Sequence, residues 1–331
     1  MSHPIAPRRR AIAALLSCLT LASAPAFAQQ PWKPTKPIRF IVGFSAGGSA
    51  DALARLLAIP MAERLGVPVV VENIAGAGAN IAMANLAHSA PDGYSIGMSS
   101  PGPHAINPAI MGSKLPFKVP QDFTPITLLV TQPNVLIVNK DVPANTPAEF
   151  AAWMKASKVE VPFGSAGIGT SNHLTGELIG LRLGVKTTHI AYKGASQVIA
   201  DLMGGHIPMT VDAITTSAPL VREGKVKAIA VTTAQRSPLL PSVPTLSETI
   251  LPGFDLASWQ GLFAPHELPA PILATLYDAA TFALNDPRVK AQLAEYGSVP
   301  GGMPPSQFSS FLLGELKKWG DIVKAAKVTV D

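Results

Sequence analysis

"IRFIVGFSAGGSADALARLL", residues 38–57, joins a β-branched apolar run to a small-residue loop and then to a helix-spaced pattern. Strand, glycine loop and helix make the opening unit of a parallel α/β sheet, so this stretch sets the fold class. Within it, Gly43-Phe44-Ser45-Ala46-Gly47 fits G-x-S-x-G, the nucleophile elbow of a serine hydrolase. The same loop can equally offer its backbone N–H groups to an anion at a helix N-terminus.

Position weighs against the elbow. A nucleophile serine normally follows several strands, yet in the expected mature chain about one strand precedes Ser45. The acid and base it needs, Asp212 and His266, lie in no motif that nominates them. A dinucleotide loop is also weak. Gly43, Ser45 and Gly48 fall on the G-x-G-x-x-G spacing without its middle glycine, although Glu72 stands where a ribose-binding acid would. The anion cradle needs only that Gly47 and Gly48 turn tightly and leave amides exposed at the helix start. Asp51 has two readings: an N-terminal helix charge, or a holder of water or a ligand hydroxyl at a cleft floor. The second loop, Gly164-Ser165-Ala166-Gly167-Ile168-Gly169-Thr170-Ser171, adds hydroxyl donors, with Thr170 or Ser171 placed to cap the next helix. Two such loops would surround an anion with neutral donors, which suits a small, released ligand rather than a cofactor.

The chain has 331 residues, enough for two domains, with 47% hydrophobic and 14% charged residues, 32 Pro and 27 Gly. Its first residues read as an export leader: Arg8, Arg9 and Arg10, an apolar run from Ala11, then Ala26-Phe27-Ala28 before Gln29. The arginines also hint at twin-arginine export, and Cys18 at a lipoprotein alternative. Cleavage after Ala28 removes Cys18, the single cysteine, and with it disulfides and thiolate sites. Residues 1–28 hold three Arg and no acid, so the formal charge falls from +5 to +2, no footprint for nucleic acid. No later stretch is long and apolar enough to span a bilayer.

Strands are expected at 38–42, 67–72, 94–98, 135–139, 186–192, 207–212 and 227–233, and 161–179 reads, like the opening stretch, as strand, small-residue loop and helix. Helices are expected at 49–65, 79–89, 147–156, 170–184, 195–204 and 215–223. The segments before Phe123 and at 244–254 read as crossovers. A helical tail from about 269 is expected to pack on the first lobe.

Seven stretches in order, "SAGGSADALAR", "NIAGAGAN", "PDGYSI", "FGSAGIGTSNHLTGEL", "AYKGASQVIADLMGGHI", "VREGKVKAIAVTTAQRSPLLPSVPTLSE" and "SWQGLFAP", resemble the solute-binding proteins of tripartite tricarboxylate transporters, the Bug family. The resemblance covers essentially the whole mature chain. It implies an α/β, two-lobe periplasmic-binding-protein (Venus flytrap) architecture, each lobe a mainly parallel sheet flanked by helices. The lobes would be 29–131 plus 254–331, and 132–253, after a leader at 1–28. It further implies a non-enzymatic, monomeric periplasmic receptor that captures a small carboxylate: a di- or tricarboxylate, an amino acid or an aromatic acid. The receptor would hand it to transporter membrane subunits, with no cofactor and no metal. The alternative is a secreted serine hydrolase using Ser45. Carried over residue by residue, the ligand site is Phe44, Ala46, Gly47, Gly48 and Asp51 from the first lobe. Ser165, Ala166, Gly169, Thr170, His173 and Asp212 come from the second, and Asn80 faces the ligand's distal end.

The chain departs from the family pattern at Gly43 and Ser45, where prolines are common, and at Ala75 and Ala79, where proline and glycine are usual. Ala213 likewise follows Asp212 where a polar residue is common. Among the remaining candidates, His104 reads as an exposed loop residue or a cleft liner, and His189 as a structural histidine. Tyr192 and Lys193 read as cleft or turn residues, and Trp153, Trp259 and Trp319 as core or lobe-packing residues.

Overall fold

β1 (Ile38–Val42) lies between β2 (Val69–Asn73) and β3 (Ser95–Ser99), parallel to both, and α1 (Ser49–Leu65) makes the crossover. The structure is a computed structural model that describes residues 32–192 and 194–328. The leader with its cleavage point, Cys18 and Lys193 lie outside the described residues. Strand alternation sorts the side chains of β1. Ile38, Phe40 and Val42 enter the core under α1, while Ile41 enters the core of the opposite face. Burying each such side chain contributes about 1.5–3 kcal/mol. Gly66, at φ +74, ends α1 by donating its N–H to Ala62 O.

After the short α2 (Asn80–Ala87), a π-helical turn over Gly102–Ile106 leads into α3 (Asn107–Met111). β4 (Phe123–Asn139) follows, then α4 (Pro147–Ala156). A second parallel group is built from β5 (Val161–Ser165), α5 (Ser171–Leu183), β6 (Thr187–Ala191), α6 (Ala195–Met203) and β7 (Met209–Ala213). α7 (Ile214–Arg222) and β8 (Val226–Val231) complete it.

The sheet is mixed rather than mainly parallel. β4 runs antiparallel to β7, β8 and β9 (Ala257–Pro265), β9 is antiparallel to β3, and the order is β2-β1-β3-β9-β4-β7-β5-β6. β4 is also far longer than the expected 135–139. Pro125 and Pro133 argue against a central strand, but Pro125 sits at a register shift against β9. Pro133 makes the last pair with β9 before β4 changes partners at Asn134. One strand therefore belongs to both groups. The chain recrosses between β8 and β9, and buried Thr232 rivets the two crossings together. It exchanges backbone bonds with Asn134 and Leu256, receives Asn134 N–H on its hydroxyl, and donates that hydroxyl to Leu256 O at 2.6 Å.

The tail forms α8 (Ala270–Asn285), α9 (Pro287–Glu295), β10 (Val299–Pro300) and α10 (Pro305–Ala326). α8 packs on α1 as expected, through Leu276, Ala279 and Ala280 against Leu53, Leu57 and Met61. α10 does more than pack on the first group: it starts with Phe308 over Gly261 and ends against α5. On the way, Trp259 and Trp319 both donate their indole N–H to Oε2 of buried Glu315, at 2.7 and 2.9 Å, and Lys318 pairs with the same carboxylate. No helix among the described residues is long and apolar enough to cross a membrane.

Candidate functional site

The first glycine loop leaves β1 exposed, from Phe44 to Ser49, and is fixed from beneath. Asp51 is buried in the first turn of α1, where its carboxylate accepts Gly47 N–H at 2.9 Å, Arg55 Nε at 3.0 Å and Asn73 Nδ2 at 3.0 Å. Asn73 Nδ2 also reaches Phe44 O. The Arg55 hydrogen bond dominates in holding the Asp51 carboxyl down at about 2. Asp51 therefore organises the loop, and the amide of Gly47 is already used. The next amides, Gly48 to Ala50, have no acceptor in the helix, and Gly48 supplies no side-chain cap. A Cβ placed on Gly47 would meet nothing within 4 Å, so the space over the turn is open.

The second loop is also held by its own side chains. Ser165 Oγ lies 2.6 Å from His189 Nε2 and donates to Gly167 O, and Thr170 Oγ1 accepts His173 N–H as the N-cap of α5. Gly169 N–H donates to His173 Nδ1, and the His173 ring stacks on His189 at 3.7 Å. Burial depresses both imidazoles, to about 3 for His173 and about 4 for His189. Both are neutral rings at ordinary pH. With Ile168, Glu177 and the end of α10 they line a cavity of about 310 Å³.

Loop two meets the first group of strands at a different place from loop one. A Cβ on Gly169 would lie 2.1 Å from Asn107 Oδ1, and one on Gly102 would lie 3.3 Å from Gly169 O. Asn107 in turn donates to Asn80 Oδ1 at 2.9 Å, and Asn80 donates to Met111 Sδ. Asn80, Asn107 and Gly169 thus come together, while Ser165, Ala166, Thr170 and His173 do not line the cavity at loop one.

That cavity, about 220 Å³, is lined by Gly47, Gly48, Ser49, Ala50, Ala52 and Leu53 on one side and by Thr215 and Thr216 of α7 on another. Gln132, Gln260, Tyr296 and Ser298 close it. Only Gly47 and Gly48 of this set are nominated by the sequence as ligand residues; Ser49, Ala50, Ala52 and Leu53 share the "SAGGSADALAR" stretch and Gln260 lies in "SWQGLFAP", while Gln132, Thr215, Thr216, Tyr296 and Ser298 fall outside the seven stretches. Asp212 lies behind α7, buried, accepting the hydroxyls of Thr216 and Ser217 and the N–H of Ala213, with its pKa pushed up by burial. Like α1, α7 starts without a side-chain cap, and Asp212 takes only the Ala213 N–H ahead of its first turn.

His104 is neither exposed nor in the cleft. It is fully buried in the π-helical turn, 4.0 Å from the Phe263 ring and 4.4 Å from that of Phe123, with Nδ1 on Ser99 Oγ at 2.6 Å. Burial lowers its pKa to about 3. Tyr192 donates to Asp201 at 2.8 Å. Ser45 bonds to neither Asp212 nor His266, and Glu72 is taken by Arg39 at 2.8 Å. Among the described residues no His, Cys, Asp and Glu group is arranged to hold a metal ion.

The pattern of the tripartite tricarboxylate transporter family receptors matches residues 53–328. The UPF0065 protein in the TAR-I ttuE-ttuC' intergenic region of Agrobacterium vitis is 38% identical over 292 residues, covering 88% of this chain and 83% of that one. The chain belongs to the tripartite tricarboxylate transporter receptor family. Among solved structures, an R. palustris protein with adipate matches at TM-score 0.84 and 32% identity, over 90% of this chain and 99% of that one. MatC from Rhodopseudomonas palustris, with bound malate, matches at TM-score 0.81 and 33% identity, over 88% and 99%. Membership in this receptor family makes the chain a solute-binding protein, which is the main reading rather than the serine hydrolase alternative.

Proposed function

We propose that this receptor works in the periplasm, as a monomer and without catalysis, by closing two lobes on a small carboxylate for transfer to transporter membrane subunits. The leader is cleaved after Ala28, and the lobes are 29–131 plus 254–331, and 132–253. The observation that carries the reading is the start of α1, where amides without a side-chain cap face a cavity that also reaches α7. The malate and adipate held by the two R. palustris relatives support an acid as ligand.

In this reading Phe44, Ala46 and Gly48 present the backbone to the ligand, while Gly47 shapes the turn with its N–H held by Asp51. Ser165, Ala166, Gly169, Thr170 and His173 form the facing wall on closure, Asp212 braces α7, and Asn80 stands toward the ligand's far end. Closure follows when a ligand touches both lobes, because it then binds the closed state better than the open one. Thermal shift of the chain from Gln29 with carboxylic acids and their amides tests this. A ligand at about 100 times its Kd adds about 2.7 kcal/mol, several degrees in Tm. Stabilisation by an acid and not by its amide is expected; equal response to both would remove the anion cradle.

A further inference from the structure

Gln132 sits on β4, paired with Ser258 of β9, and lines the cavity over α1. Its amide has a fixed sense. Ser298 is buried, and its hydroxyl finds one acceptor among the described residues, Gln132 Oε1 at 3.2 Å. Thr215 Oγ1 lies 3.0 Å from Tyr296 O and 3.4 Å from the same Oε1. Turning the amide over would leave the buried Ser298 proton without an acceptor, so Oε1 stays toward Ser298 and the NH2 points away from it. That NH2 has no partner among the described residues. It is not sealed in either: the buried side-chain atoms without a partner there are His104 Nε2 and Thr175 Oγ1. The NH2 is therefore an unused donor open to the cavity. Gln260 and Tyr296 also line the cavity, but among the described residues nothing bonds to their polar ends, which are free to turn. The lining holds no Lys, Arg, His, Asp or Glu among the described residues, so a guest's charge is met there by neutral groups.

We infer, resting on the carboxylate reading above, that Gln132 is a specificity-determining residue of this receptor. Its NH2 donates to the ligand carboxylate, and Ser298 and Thr215 are the positioning residues that keep it turned that way. A hydrogen bond to a charged acceptor is about twice as strong as a neutral one, so a fixed donor favours an acid over its amide. It offers an ammonium group nothing, since both only donate. Thr215 belongs to α7 and Ser298 to the segment after α9. With the lobe boundaries proposed above these are two different lobes. A carboxylate on Gln132 is thus held by a side chain that both lobes keep in place.

The test is calorimetric titration of the exported receptor with succinate, malate, glutarate and adipate, each beside its diamide, at pH 8 and pH 6. The unaltered chain should bind at least one acid in preference to its diamide. Gln132→Met, of similar length and without the donor, should weaken that acid roughly ten- to a hundredfold at both pH values and narrow its lead over the diamide. Gln132→Glu should weaken it at least as much at pH 8. Relative to the unaltered chain it should recover at pH 6, as the introduced carboxyl beside the bound acid takes up a proton and donates in its turn. Ser298→Ala frees the amide to turn over and should narrow the acid-to-diamide ratio severalfold. A side chain that only shaped the wall would weaken acid and diamide alike. An unchanged acid-to-diamide ratio in a folded Gln132→Met overturns the inference and leaves the carboxylate reading standing. Should neither Gln132 variant fold, an unchanged ratio in Ser298→Ala does the same. An unaltered chain that binds none of the acids, or binds the diamides as well, overturns the carboxylate reading and the inference with it.

Discussion

A Cβ on Gly43 would lie 2.2 Å from the Cβ of Ala79, so the methyl of Ala79 fills the space that Gly43 leaves empty. Ala79 is buried and sits at φ +76, a conformation that favours glycine, and Ala77 in the same loop sits at φ +47. Two of the departures from the family pattern, Gly43 and Ala79, are thus one packed pair. It pins the "NIAGAGAN" loop against the end of β1.

A double-mutant cycle reads this pairing. Gly43→Ala should destabilise by about 2–3 kcal/mol through overpacking. Ala79→Gly should be near neutral, since relieved backbone strain offsets the lost methyl. The double variant should recover at least about 1 kcal/mol of the Gly43→Ala loss in urea denaturation. Recovery stays partial because Ala79 Cα also lies 2.9 Å from the added Cβ. Additive losses would show that the two sites are independent.

Asp51 should make the first loop acid-sensitive. Its folded pKa, about 2, lies below the usual 3.8, so it stabilises the fold above about pH 4 and loses that contribution as the pH falls toward 2. Asp51→Asn should lower Tm at pH 7 and flatten the Tm profile between pH 4 and 2. It should also weaken acid binding, because Gly47 loses a charged acceptor. A variant profile as steep as the original would place the acid sensitivity elsewhere.

The buried histidines act over a higher range. His104, His173 and His189 are all depressed from 6.5, so below that pH the unfolded chain takes up protons that the fold excludes. Stability is full above pH 6.5 and falls on acidification, by up to about 1.4 kcal/mol per pH unit for each ring. His104→Phe, which suits its phenylalanine surroundings, should remove roughly a third of that slope between pH 6 and 5. Urea midpoints at several pH values would check it.

Glu315→Leu should cost about 2–4 kcal/mol, because the indole N–H groups of Trp259 and Trp319 would lose their acceptor in the core. Denaturant unfolding followed by tryptophan emission measures both the loss and the change around the indoles.

The β1 loop, its helix and the Thr170 cap were legible because each is a local pattern of period, glycine and hydroxyl. β4 was not, since Pro125 and Pro133 are tolerated only by a register shift and a change of partner supplied by strands far along the chain. His104 looks like a loop histidine until Phe117, Phe123 and Phe263 close around it. Gln132, Tyr296 and Ser298 fall in no recognisable stretch, and nothing in "SWQGLFAP" marks Gln260 as a cavity residue. Their relation exists only because two antiparallel strands and the segment after α9 pass one place.

Thr232 has a mechanical consequence. With both crossings bonded through it, neither can slide along the other without breaking bonds at Thr232. Gln132 lies two residues from Asn134, one partner in that link, and also in the wall of the cavity. The spacing of the two crossings and the width of the cavity at Gln132 are therefore set by the same few bonds.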